Sequence, residues 1–304
     1  METLTHHIGV PLSILSIGSD VEIAIIEMGA NHLNEIKFLC GIAQPDYGVI
    51  TNVGKAHLEG FGSLEGVLQA KTELYKYLAT KNAPVFVKDN DYILINKIPK
   101  ECPKIRYGEL KNSNYIIKSD EAQPFVKVFF NETQIKSQLI GDYNFDNIAL
   151  SIAIGMEFGI EIIDIKEAIE SYKASNNRSQ IIKTNSNTIL LDAYNSNPTS
   201  LEKAILNLEN IKHENKVMIL GDMFELGEDT NIEHQKVIDK CLNSGFSNVF
   251  LVGKIFNTIN NTNYISFNNP GDLMKLLKTQ SIENAFILIK GSRGMKLEQL
   301  VDCL

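Results

Sequence analysis

Apolar positions along the chain fall into two alternating textures. Short runs rich in Val and Ile, namely VEIAIIE, YGVITNV, PVFVK, TILLDAY, KVMILGD, NVFLVG and AFILIKG, predict strands. Between them lie longer segments of helical period, and this alternation predicts an α/β fold whose sheet is mostly parallel. The middle of the chain has a different pattern. NYIIKS and PFVKVFFNETQIKSQLIG alternate apolar with polar and are joined at Asn131-Glu132-Thr133, which predicts a small antiparallel hairpin region. An apolar helix is expected from about Asn144 to Phe158 and an amphipathic one from about Asp164 to Ala174. The polar stretch from Ser175 to Ser179 reads as a hinge, and a new strand and helix alternation follows it. A domain boundary near Asn177 is therefore expected, with domains 1–176 and 177–304.

Within SLEGVLQAKTELYKYLA, Ser63 suits a helix N-cap, and Leu64, Val67, Leu68, Leu74, Tyr75 and Leu78 build one apolar face. Lys71 falls on that face. A buried ammonium is costly, so Lys71 either reaches out to the rim or is chemically special. Glu27 raises a similar question, because it ends an apolar run and is followed at once by Met28-Gly29-Ala30-Asn31-His32. At the carboxyl end of a strand such an acid either caps the next helix or holds a ligand. His57 falls at the same edge one strand later, and carboxylate and imidazole donors together suit a divalent ion.

The second half repeats this placement. Asp192 and the turn Asn195 to Asn197 follow one run, Asp222 and Glu225 follow another, and Lys290, Ser292 and Arg293 form a cationic, glycine-bearing loop after a third. Such a loop fits a carboxylate or a phosphate.

Composition narrows the possibilities. The 304 residues are 44% hydrophobic and 22% charged, which is enough to bury a sizeable core. A formal net charge of −8 argues against nucleic acid or an anionic membrane as partner. Cys40, Cys102, Cys241 and Cys303 are scattered without CxxC spacing and read as reduced thiols of a cytoplasmic protein. No signal peptide and no membrane insertion are expected.

Eight stretches, in order, carry a resemblance: IGVPLS, IIEMGANHLNEI, ITNVGKAHLEGFGSLEGVLQAKTELY, GDYNFDNIALSIAIG, NNRSQ, LLDAYNSNPTSL, ILGDMFELG and IKGSRGMKLE. Together they resemble the Mur ligases. HLEGFGS and DAYNSNPTS are the specific ones, and they point to the member type that uses D-alanyl-D-alanine. The resemblance implies a central ATPase domain followed by a Rossmann-like α/β C-terminal domain. It also implies an ATP-dependent amide ligase that joins D-alanyl-D-alanine to UDP-N-acetylmuramoyl-tripeptide through an acyl phosphate, as a monomer. On this footing Glu27 and His57 would hold Mg2+, and Lys71 would carry a carbamate close to the metal. Asn144 and Asn147 would lie near the adenine, Arg178 would reach an ATP phosphate from the hinge, and Asp192 and Asn195 would form the nucleotide-side loop. Asp222, Glu225, Lys290, Ser292 and Arg293 would receive the dipeptide.

The chain departs from the family pattern at its start. A glycine-rich phosphate loop of the G-x-x-x-x-G-K-[ST] type would precede IGVPLS, whereas the nearest string, Gly48 to Gly54-Lys55-Ala56, is one residue too long and lacks Ser or Thr. A partial central domain, with uncovered sheet edges and apolar faces, is the resulting expectation. The competing functions are a non-catalytic remnant that binds a nucleotide or a protein partner, and a sister ligase of the folylpolyglutamate synthetase or Mur type.

Overall fold

The structure, a computed structural model, describes residues 5–54, 58–120, 124–141, 143–259 and 263–304. Contacts divide the chain into one unit of Met1–Lys118 with Ala149–Ile154 and a second of Ser119–Ile148 with Gly155–Leu304.

In the first unit, α1 (Gly9–Leu15), α2 (Glu35–Ala43), β1 (Gly48–Val49), α3 (Leu58–Phe61), α4 (Leu64–Lys71), α5 (Glu73–Thr80), β2 (Val85–Lys88), α6 (Tyr92–Ile95), β3 (Lys104–Gly108) and β4 (Tyr115–Asp120) follow in order. The four strands pair in parallel in that sequence. Their core gathers Ile50, Val85 and Val87 with Leu68, Tyr75, Leu78 and Leu94 of the helices.

The helix expected to begin at Ser63 does so, with the Ser63 hydroxyl accepting from the Gly66 amide at 3.1 Å. It then breaks at Thr72, whose hydroxyl donates back to the Leu68 carbonyl at 2.8 Å. One predicted strand is absent: residues 21–27 have no ladder partner among the described residues, and Val21, Ile23, Ile25 and Glu27 are exposed. An apolar run becomes a strand only where a neighbour accepts its hydrogen bonds, and among the described residues β1 pairs with β2 alone. Ile25 is 83% exposed, and Leu15, earlier in the chain, is 81% exposed.

Glu73 ties this unit together. Asn34 enters α2 with φ of 69° and gives it no side-chain cap. The buried Glu73 carboxylate instead accepts from the Asn34 amide at 2.7 Å and the Lys37 amide at 2.9 Å. Charged acceptors on the orphan amides of a helix start are among the stronger local contributions.

The second unit contains the hairpin β5 (Phe125–Phe130) and β6 (Thr133–Ile140), then α7 (Tyr143–Glu157), whose residues 149–154 belong to the first unit, and α8 (Ile162–Ser171). The hairpin turns at Asn131, which takes φ of 52°. There follow β7 (Gln180–Lys183), β8 (Asn187–Asp192), α9 (Pro198–Asn210), β9 (Lys216–Gly221), α10 (Thr230–Asn243), β10 (Val249–Val252), α11 (Lys254–Thr258), β11 (Ile265–Phe267), α12 (Pro270–Leu277) and β12 (Ala285–Lys290).

The sheet order is β11-β10-β9-β12-β8-β7, and all neighbours are parallel except the β7 and β8 pair. Strands covered on both faces read as unbroken apolar runs, and here the two faces separate cleanly. Leu190, Met218, Leu220, Leu251 and Leu288 meet Leu201, Ile205 and Leu208 of α9 and Val237, Ile238 and Cys241 of α10. Their neighbours in the chain, Ile189, Leu191, Val217, Ile219, Ile287 and Ile289, meet Leu273 and Leu277 of α12 and Leu297 and Leu300 beyond β12. The cysteines are free thiols, as expected, and burial pushes those of Cys40 and Cys241 up to about 12.

Glu73→Ala is expected to destabilise the first unit by about 2–3 kcal/mol, because two amides lose a charged acceptor. Urea unfolding followed by circular dichroism checks this, and Glu73→Gln should restore less than half of the loss.

Candidate active site

Three adjacent strands, β9, β12 and β8, end at one edge of the second sheet, and their register pairs Lys290 with Asp192. The Lys290 side chain is 2% exposed, so its ammonium needs a partner inside the protein. It donates to Asp192 Oδ2 at 2.6 Å and to the Asn195 carbonyl at 3.3 Å. Asp192 Oδ1 accepts from the Ser179 amide at 3.1 Å, and the Ser179 hydroxyl lies 2.8 Å from the Tyr143 hydroxyl. Burial, reinforced by the Asp192 charge, pushes the Tyr143 phenol upward, so it stays protonated.

The next strand end is built around Asp222. Its carboxylate turns inward and accepts from the Ile255 amide at 2.9 Å and the Phe256 amide at 3.0 Å, which caps α11. Gly253 has φ of 135°, and a Cβ there would run into the Asp222 carboxyl. His234, fully buried, supports the same turn: Nδ1 donates to the Thr230 carbonyl at 2.7 Å and Nε2 accepts from the Met223 amide at 3.0 Å. A carbonyl can only accept and an amide can only donate, so this imidazole is neutral. Burial holds its pKa below the usual range, against the opposing pull of the Thr230 carbonyl, Asp222 and Glu233.

The Ser292 hydroxyl accepts from the Phe224 amide at 3.0 Å, and its amide donates to the Asp222 carbonyl at 3.1 Å. The β9 and β12 loops are therefore laced together. Glu225, at φ of 63°, lies exposed in the first of them. Arg178 and Arg293, both exposed, stand 3.8 Å and 5.2 Å from the centre of the Tyr194 ring. The Asn195 side chain accepts from the Ser196 amide at 2.8 Å, and Asn197 caps α9 through a reciprocal pair with Ser200. Asn144 is buried; its amide donates to the Ile140 carbonyl at 2.8 Å and its oxygen accepts from Asn147 at 3.2 Å.

In the first unit, Lys71 is half-buried at the end of α4 and donates to the Asn52 carbonyl at 3.0 Å. Burial lowers its pKa. Glu27 is exposed, and no contact among the described residues joins it to Lys71. His57 lies outside the described residues. Among those described, no group of three His, Cys, Asp or Glu side chains could hold a metal ion.

Two family profiles match this chain: the Mur ligase middle domain over residues 1–155, and the Mur ligase glutamate ligase domain over residues 177–293. The UDP-N-acetylmuramoyl-tripeptide--D-alanyl-D-alanine ligase of Bacillus subtilis (strain 168) is 32% identical, over 98% of this chain and 68% of its own. This chain belongs to the Mur ligase family. The ligase of the same name from Escherichia coli (strain K12) is 29% identical over 99% of this chain and 69% of its own. The crystal structure of MurF from Thermotoga maritima in complex with ADP has a TM-score of 0.83 and 25% identity, covering 97% of this chain and 70% of that one. For the fold alone, MurF from Acinetobacter baumannii superposes with a TM-score of 0.87 at 24% identity, over 99% of this chain and 69% of that one. Among the described residues, no helix of this Mur ligase is long and apolar enough to cross a membrane.

Ser179, Tyr194, Ser196 and His234 also brace this sheet edge, although none of them carried a role of its own in the sequence. Tyr194 and Ser196 sit inside the quoted DAYNSNP, whereas nothing in the pattern around His234 announces a buried imidazole.

Lys290→Met should destabilise the second unit by about 3 kcal/mol in urea unfolding, because Asp192 is left without its cation. Adding Asp192→Asn should recover part of the loss. A folded pKa held below the unfolded value keeps the His234 contribution intact above about pH 6.5, and it is lost as pH falls further. The melting temperature should therefore fall as pH is lowered below about 6.5. In His234→Phe that part of the slope should vanish, which thermal scans across pH will show.

Proposed function

We propose that this chain forms an amide bond at the expense of ATP, joining D-alanyl-D-alanine to UDP-N-acetylmuramoyl-tripeptide in cytoplasmic peptidoglycan precursor synthesis. One observation carries the proposal: the chain is collinear, over 98% of its length, with a ligase of that name and keeps a polar rim at the carboxyl ends of its strands, where open α/β sheets gather ligands.

In this reading a carboxylate oxygen of the tripeptide attacks the γ-phosphorus of ATP and ADP departs. The dipeptide amine then attacks the acyl carbon, phosphate leaves, and the amine gives up a proton. Phosphoryl transfer depends on positioning and charge stabilisation rather than on covalent help from the protein. Arg178 meets the phosphates, Asn144 and Asn147 border the adenine, and Asp192 and Asn195 shape the nucleotide-side loop. Arg293, Ser292 and Glu225 face the dipeptide, while Lys290 and Asp222 serve that face by fixing its loops.

Mg2+ would rest on Glu27, His57 and a carbamate on Lys71. The donor chemistry fits, since a hard cation prefers anionic oxygen. The lowered pKa of Lys71 supports the carbamate, because only a neutral amine adds to CO2, releasing a proton as the carbamate forms. When bound, the cation neutralises phosphate charge.

Purified chain supplied with ATP, Mg2+, the tripeptide nucleotide and D-alanyl-D-alanine is expected to release phosphate and yield the pentapeptide product in mass spectra. Replacing the dipeptide by glutamate or another single amino acid should abolish product. Lys71→Ala should cut the rate by about 100-fold or more, with partial rescue by added short carboxylates. ATP binding without product would assign the chain a nucleotide-binding role instead, and parent-level activity of Lys71→Ala would remove the carbamate.

A further inference from the structure

Arg178 is flanked by left-handed backbone. Asn176, Asn177 and Ser179 around it have φ of 55°, 58° and 48°, a region that asparagine tolerates but serine seldom adopts unless tertiary contacts impose it. Those contacts come from the end of β8. The Tyr194 amide donates to the Asn177 carbonyl at 3.1 Å, and the Ser179 amide donates to Asp192 Oδ1 at 3.1 Å. Both chain neighbours of Arg178 are thus pinned, and its own amide donates to the Ser175 carbonyl at 3.2 Å.

The side chain is held by a different group. Its guanidinium carbon lies 3.8 Å from the centre of the Tyr194 ring, and that of Arg293 lies 5.2 Å from the same centre. A guanidinium is weakly hydrated and planar, so it stacks on an aromatic face where an ammonium would stay in water. Drawing two like charges to one ring raises the positive potential there, which an anion would relieve.

We propose that Tyr194 is a positioning residue for phosphate recognition, resting on the nucleotide reading given above: its ring seats the Arg178 guanidinium, with Arg293 beside it, before the triphosphate arrives. An exposed arginine without such a seat must surrender rotamer freedom when it binds, and a seated one has already done so. The Tyr194 hydroxyl has no part in this arrangement, so the ring alone should suffice.

The test is ATP titration by calorimetry on the full chain. Tyr194→Leu, which keeps apolar volume but removes the aromatic face, should weaken ATP about tenfold, and Tyr194→Phe should stay within about twofold of the parent. Arg178→Ala should weaken ATP at least as much as Tyr194→Leu, and the double variant should bind no worse than Arg178→Ala alone, because the ring acts through that arginine. Parent-like affinity in Tyr194→Leu, or a double variant weakened by the product of the single effects, would overturn the proposal. In the free protein, the Arg178 δ-proton resonances should lie upfield from ring-current shielding; unshifted resonances would also overturn it, even if Tyr194→Leu folds poorly. Parent-like ATP affinity in Arg178→Ala is a separate result that removes the phosphate role of Arg178 itself.

Discussion

The carboxyl edge of the second sheet depends on one ion pair. Lys290 ends a strand buried on both faces, so its ammonium has no route to water and must find an anion at its own level of the sheet. Parallel register supplies one, because Lys290 of β12 lies opposite Asp192 of β8. The same carboxylate reaches the Ser179 amide and the same ammonium reaches the Asn195 carbonyl. The loop after β8 and the segment around Arg178 are thereby fixed to two strand ends. The charges cancel between these two groups, so the exposed cations described at this edge are Arg178 and Arg293.

Around this pair the loops follow one construction. A charged or polar side chain at a strand end is consumed by backbone amides, and the residues that remain outward are carried on the loops so fixed. Asp222 caps α11, Ser292 binds the Phe224 amide, and Asn197 caps α9. Glu73 does the same in the first unit, holding the start of α2 from two residues beyond Lys71. Rigid loops of this kind lower the ordering cost of binding, which is what a reaction governed by positioning requires.

Much of this was legible in the chain itself. Runs such as TILLDAY, KVMILGD and AFILIKG are apolar throughout because both their faces are covered, so they announce a parallel sheet and place Asp192, Asp222 and Lys290 at its carboxyl ends. Ser63 announced a helix start by its chemistry alone. Other features were hidden. VEIAIIE has the composition of a strand, yet among the described residues it pairs with nothing, because strand formation is decided by a neighbour. The long helix through Lys71 breaks at Thr72 although its apolar period continues across the break.

The sequence by itself determined the alternation of elements, the faces they bury, and the family whose motifs it carries, because burial period, capping chemistry and motif spacing are local properties of the chain. Only the tertiary structure decided which polar groups meet. Lys290 and Asp192 are 98 residues apart, and Phe224 and Ser292 are 68 apart, so their pairings exist only once strand order and register are set. Whether a charged residue at a strand end faces solvent or serves as a brace depends on that order, since a buried charge takes whichever partner the neighbouring strand presents.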